Sequence, residues 1–184
     1  KLKFDSLNPA IKNLFKQYNM TVIDFEEIPI HAGSIRVTVK NAKLDMPSHI
    51  KDRLILEFNT ICNKDYLHKF QTNVLKHIND FKNQINELSK KYTIAGYGAS
   101  GRANMFCNLT DLNEKQIQFV VDESPERCGR YIANTKIPIV DIDTLKESKV
   151  DLLIIFAWNY SKMIIDKTQF RKFKYLVAFP NIQI

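Results

Sequence analysis

The chain has 184 residues, 45% apolar and 26% charged, with a net charge of +7. These values suit a folded domain with one good core and an appendage; no apolar run approaches the roughly 18 residues that cross a bilayer, and no secretory leader is expected. With only 6 Pro and 5 Gly, long disorder is not expected either.

Asn8-Pro9 reads as a helix cap followed by proline at the first helical position, with Ile11, Leu14, Phe15 and Tyr18 at helical spacing. Thr21 to Ile28 reads as a strand. Ser34 to Val39 is a clearer one, with Ile35, Val37 and Val39 on one face and Ser34, Arg36 and Thr38 on the other. Ser48 to Ser89 is helical with a break near Asn63. Its second helix carries Leu67, Phe70, Val74, Ile78, Phe81, Ile85 and Leu88 on one stripe and would reach about 38 Å. After Lys90-Lys91 short strands alternate with helices. Strands are expected at 92–95, 117–121, 137–140, 152–156 and 175–179, and helices at 102–108, 142–147 and 161–167. Leu152 to Phe156 is apolar throughout, as a parallel strand covered on both faces would be. The expected fold is therefore α/β: a Rossmann-like parallel sheet with helices on both faces, preceded by a small α+β segment and a long helix. The expected division is 1–90 for that segment and 91–184 for a nucleotide-binding domain.

Gly96-Tyr97-Gly98-Ala99-Ser100-Gly101 follows a strand and precedes a helix, the context that a dinucleotide-type phosphate loop requires. In such loops the first glycine permits the tight turn, the second admits a phosphate to the backbone, and the third allows close helix–strand packing. Helix N-terminal amides then face the anion, with Arg102 and Asn104 in the first turn. Asp122, 21 residues beyond Gly101 at the end of the next strand, is placed to accept hydrogen bonds from ribose hydroxyls. The plain alternative is a tight turn with an ordinary strand-end Asp. The strand before the loop ends Thr93-Ile94-Ala95 without an acid, which argues against a methyl-donor site here. Ala157-Trp158-Asn159-Tyr160 follows the apolar strand, where ligands of open α/β sheets bind. Trp158 and Tyr160 could stack on a base or sugar, and Asn159 offers a donor and an acceptor. Arg36, beside Ser34 and after His31, could hold a phosphate or an interdomain carboxylate, or simply face solvent.

The 27 basic residues are scattered, so nucleic-acid binding is not expected; a basic bias also suits a diphosphate. Cys62, Cys107 and Cys128 form no CxxC pair. They read as reduced thiols of a cytoplasmic protein, without a zinc site or disulfide framework. No metal-ligand spacing and no catalytic constellation is visible.

Several blocks in order, 31–37, 94–104, 120–125, Ile137-Pro138-Ile139-Val140 and 157–160, resemble the C-terminal region of S-adenosylmethionine-dependent C-methyltransferases acting on nucleotide-linked deoxysugars. The resemblance covers nearly the whole chain. It implies a nucleotide-sugar-binding domain in a longer enzyme, whose preceding parts supply a zinc module, the methyl-donor site and a base in a Tyr-x-Glu-His stretch. That stretch does not occur here, and the opening Lys1 also fits a piece of something longer. The fragment alone is thus expected to hold no cofactor and no catalytic residue. Its expected partners are a sugar nucleotide and the missing N-terminal part of the same polypeptide, with no nucleic acid and no membrane. Two departures stand out: Ala32 replaces a common glycine of a His-Gly-Gly-Ser block, and Arg102-Ala103-Asn104 stands where relatives often carry Lys-Gly-Asn. An NAD(P)-dependent oxidoreductase fragment and a stand-alone regulatory nucleotide-binding module remain the alternatives.

Overall fold

The computed structural model describes residues 9–29, 33–61 and 63–178. Two compact units divide the chain, Lys1–Asn73 and Val74–Ile184.

In the first unit, helix α1 (Pro9–Gln17) leads through a turn at Asn19, with φ +56°, into an antiparallel hairpin. Its strands are β1 (Thr21–Ile28) and β2 (Ser34–Lys40), with a bulge between Val22 and Asp24. The expected alternation on β2 holds. Ile35, Val37 and Val39 pack with Phe15, Phe25 and Leu54 against buried Val22 and Ile50, whereas Arg36 and Thr38 are exposed. Helix α2 (Ser48–Ile61) supplies Ile50 and turns Arg53 and Glu57 to the same side. There the Arg53 guanidinium forks to Glu57 Oε1 at 2.7 Å and Glu27 Oε1 at 2.9 Å.

The expected break falls at Asn63, whose Oδ1 accepts from the amides of Asp65 (2.9 Å) and Tyr66 (3.2 Å) and so starts α3 (Lys64–Leu88). Only part of its apolar stripe is covered. Phe81 and Ile85 are buried in the second unit's core, while Leu67 is 47% exposed.

The second unit is a five-stranded parallel sheet: β3 (Ile94–Tyr97), β4 (Val120–Val121), β5 (Ile139–Val140), β6 (Leu152–Ile155) and β7 (Lys174–Val177). Its order is β5-β4-β3-β6-β7. Counting strands from β3, that is 3-2-1-4-5, the doubly wound order with its switch point between β3 and β6. Every residue of β3 and β6 is buried, which accounts for the continuous apolar run. Alternate side chains divide the core. Ile94 and Ile154 join Phe81, Ile85, Ala103 and Phe106, from α3 and from α4 (Gly101–Leu109). On the other face Ala95, Tyr97 and Ile155 join Leu145 of α5 (Ile142–Glu147) and Ile164 of α6 (Ser161–Lys167). Helices thus cover both faces, as expected. The β4 ladder is shorter than its apolar run, but the pairing extends past it: Gln118 donates to the Ile94 carbonyl at 2.9 Å and Gly96 to the Phe119 carbonyl at 2.8 Å.

Candidate functional site at the carboxyl edge of the sheet

The glycine loop joins β3 to α4 at the carboxyl edge, against the switch point. Its three glycines do different jobs from those the motif predicts. Gly96 lies inside β3. A Cβ there would stand 2.7 Å from Phe156 Cε2 and 2.9 Å from Val120 Cγ2, so this glycine serves side-chain packing across the sheet. Gly98 makes the turn, with φ +93°, and its Cβ would meet the Ala157 Cβ at 2.7 Å. The close approach it permits is therefore to the segment after β6. Gly101 opens α4, and no atom lies within 4 Å of where its Cβ would be. Of the three, Gly101 is the one at which the backbone is open.

Ser100 caps α4 in extended conformation, φ −88° and ψ 179°, yet its side chain makes no capping hydrogen bond. Its Oγ is buried without a hydrogen-bond partner, and so are Arg102 Nη1 and Asn159 Oδ1. A buried polar atom left unsatisfied costs about 1–3 kcal/mol, so three on two adjoining segments require an explanation. The segments adjoin through Gly98 and Ala157, and again through Arg102, whose guanidinium carbon stands 4.7 Å from the Trp158 ring centroid. Trp158 sits in a turn of 3₁₀ helix (Trp158–Tyr160) and packs edge-on against Phe106 at 5.7 Å, tying it to the core beneath. Tyr160 is 46% exposed beside it.

Asp122 occupies the predicted strand end but is 7% exposed, and its carboxylate is engaged within the fold. Oδ2 accepts from the Ala99 amide at 2.8 Å, Oδ1 from the Ser124 amide at 2.9 Å, and Arg127 Nη1 lies 3.1 Å from Oδ2. It ties the glycine loop to the β4 turn from below. Next to it, Glu123 accepts from the Tyr97 hydroxyl at 2.7 Å and pairs with Lys167 at 2.6 Å. Burial, then the Glu123 hydrogen bond, raises the Tyr97 phenol well above its ordinary value. Lys167 and then Tyr97 hold Glu123 below the usual carboxylate range. Sequence reasoning missed Glu123, Arg127 and Lys167. Glu123 was signalled by adjacency to Asp122; Lys167 had no local signal.

Asn104 is turned to a structural use, its Oδ1 accepting from the Ala133 amide at 2.9 Å. In the first unit Arg36 pairs across the hairpin with Glu26 at 2.9 Å, both side chains about three-fifths exposed. Ser34 begins β2, and His31 lies outside the described residues. A polar depression of about 370 Å³ lined by Asn113, Lys115, Asn134 and Lys136 sits at the opposite, amino edge of the sheet. Among the described residues no group of His, Cys, Asp and Glu could hold a metal, and no helix is long and apolar enough to cross a membrane. Cys107 is buried with its thiol pushed up to about 12 by desolvation, and Cys128 is free. Cys62 lies outside the described residues.

A helix start with open backbone at Gly101 and Arg102 stacked on Trp158, at the switch point of a doubly wound sheet, can receive an anionic ligand. The chain is 24% identical over 164 residues to the C-methyltransferase NovU of Streptomyces niveus. That match takes in 85% of this chain but 38% of the relative's length. The model of the C-methyltransferase C-terminal domain matches residues 29–180. With that match running through both units and across the glycine loop, the chain belongs to the C-methyltransferase C-terminal domain family.

Proposed function

We propose that this chain is the sugar-nucleotide-binding portion of an S-adenosylmethionine-dependent sugar C-methyltransferase. It holds the nucleoside diphosphate at the carboxyl edge of the sheet and presents the sugar to the rest of the polypeptide. In the intact enzyme a base supplied outside these residues removes a proton next to a sugar carbonyl, and the resulting enolate takes the donor methyl on carbon. The donor and any zinc bind outside these residues too. The contribution of this portion is position, and placing reacting groups can be worth several kcal/mol of barrier. A cytoplasmic setting fits the unpaired cysteines.

The observation that carries the reading is the open backbone at Gly101, at the first turn of a nine-residue helix beside the switch point. The engagement of Asp122 with Ala99 and Ser124 leaves the ribose of the nucleotide to other residues, because the acid expected to take its hydroxyls is already committed. Calorimetric titration of a nucleoside-diphosphate sugar into the chain tests the proposal, with Gly101→Leu as the variant. Leucine favours helix and enters open space, so the melting temperature should hold while affinity falls at least tenfold. Unchanged affinity would place the ligand elsewhere.

A further inference from the structure

At the amino edge of the sheet, opposite the glycine loop, every strand is preceded by an exposed lysine. Lys136 stands before β5, Lys115 before β4, Lys91 before β3, Lys149 before β6 and Lys172 before β7. Hydrogen bonds join these segments side by side. Val120 donates to the Pro138 carbonyl, Gln118 to that of Ile94, Asp151 to that of Thr93 and Lys174 to that of Asp151, each at 2.9 Å. In the order of the sheet the lysines therefore form a row, and strands about 4.8 Å apart give it a length of roughly 20 Å.

The row is not balanced by acids. Elsewhere in this unit Lys82, Lys90, Lys146 and Lys167 each have a carboxylate within 2.7 Å. Among the described residues none of the five has such a partner, nor have Arg171 and Lys174 beside them. The acids alongside are Glu114, Glu147 and Asp151, and Asp151 turns its carboxylate to the Thr93 amide at 3.1 Å. Helix dipoles account for Lys91 and Lys149, which stand within a turn of the ends of α3 and α5, but not for Lys115, Lys136 and Lys172. Neighbouring segments lie closer than the roughly 8 Å over which salt screens charge, so the row repels itself and costs the fold stability.

The residue types point to one kind of partner. A lysine is a point charge without the planar fork that grips a single phosphate, so a row of lysines suits a broad negative surface. Single-stranded nucleic acid draws on open aromatic faces. Here the Tyr92 ring is covered by Lys174 Nζ at 4.8 Å and Phe173 by the Arg171 guanidinium at 4.6 Å. Phe170, next to Arg171, is instead 45% exposed and packs edge-on against Phe173 at 5.8 Å. An exposed apolar ring beside a cationic row suits the boundary between lipid headgroups and acyl chains.

We propose that the amino edge docks on an anionic lipid surface, with the lysine row over the headgroups and Phe170 entering between them. Docking of this kind needs no spanning helix, so it brings a membrane surface back among the partners that the lack of a long apolar run had set aside.

Co-sedimentation of the chain with vesicles tests this, using pure phosphatidylcholine and equal parts of phosphatidylcholine and phosphatidylglycerol. The chain should partition onto the anionic vesicles at least about tenfold more strongly, and the preference should vanish at high salt. Lys91→Glu, Lys149→Glu and Lys172→Glu combined should abolish it. Lys43→Glu, Lys51→Glu and Lys69→Glu combined remove the same charge from exposed positions of the first unit and should keep most of it. Melting temperatures report whether the variants stay folded. If the first does not, glutamine at the same three positions should give a smaller loss of the same kind. Phe170→Ser should weaken binding several-fold, and unchanged binding would remove Phe170 from the surface. Equal loss in the two triple variants would overturn the row as a site, because net charge alone would then explain the binding. Equal partition onto neutral and anionic vesicles would overturn it too. A single-stranded oligothymidylate that binds more tightly than the vesicles, and is lost with the row, would replace the lipid with nucleic acid. Each of these outcomes leaves the nucleotide-sugar reading of the other edge untouched.

Discussion

The carboxyl edge of the sheet has two sides that carry the same kinds of residue and use them differently. Beneath the loop, Gly96, Gly98, Tyr97, Asp122 and Glu123 meet Phe156, Ala157, Ala99, Ser124 and Lys167, and each polar group has its partner. Above it, Gly101 has open space, and Ser100, Arg102 and Asn159 each keep a buried atom unsatisfied. A residue type becomes available to a ligand when the fold leaves it incomplete. The difference is testable, because substitutions beneath should cost stability and substitutions above should cost binding.

The largest effect belongs to Gly98→Ala. A residue with a Cβ in the left-handed region costs roughly 1–2 kcal/mol. The new methyl would also stand 2.7 Å from the Ala157 Cβ, and overpacking costs about 1–3 kcal/mol more. Thermal denaturation should show a fall in melting temperature of roughly 10 °C or more for a loss of that size in a domain of about 100 residues. A variant that melts with the parent chain would mean that Gly98 does not serve the fold, and the division between the two sides would fail at its firmest point.

That expectation reverses what the motif alone suggests, where Gly98 is the glycine that admits phosphate. Sequence shows that glycines stand at three positions between a strand and a helix. It does not show which will face Phe156, which will take φ +93° and which will face open space, because those are properties of the strands alongside. The fold itself was more legible. Leu152–Ile155 announces a doubly covered strand, and α5 and α6 begin and end where periodicity puts them. Asp122 was found by spacing, but the amides that engage it come from a turn and a loop that spacing cannot place. Arg36 illustrates the same limit in the first unit: its outward face follows from alternation, but its partner Glu26 follows from the register of the hairpin.

A smaller effect is expected at Tyr97, which is 3% exposed and bonded to Glu123. Tyr97→Phe should cost about 1 kcal/mol at neutral pH, the ordinary worth of a hydrogen bond. The sign of its pH dependence follows from the raised phenol. The folded chain holds that proton more tightly than the unfolded chain, so the stabilisation is complete below the unfolded value near 10.0 and declines as pH rises beyond it. Urea midpoints measured from pH 8 to pH 11 should therefore show the gap between parent and variant narrowing with pH. A gap that stays constant would mean that the phenol is not held protonated beneath the loop.

The smallest loss of stability is expected at Ser100, and it separates the two sides most sharply. A serine at a helix N-cap ordinarily contributes about 1 kcal/mol, because its oxygen accepts from a first-turn amide. Ser100 occupies the cap position without making that bond, and its buried Oγ has no partner. Replacing it with alanine removes an unsatisfied polar atom rather than a cap. Ser100→Ala should therefore not lower stability, and any change should be a gain, bounded by the roughly 1–3 kcal/mol that an unsatisfied buried polar atom costs. In a nucleoside-diphosphate titration the same variant should bind several-fold more weakly, since the hydroxyl is then a donor withdrawn from the phosphate. Urea denaturation and calorimetry on one preparation decide between the two sides. A loss near 1 kcal/mol in stability with full affinity would move Ser100 beneath the loop with Asp122, as a residue that completes the fold.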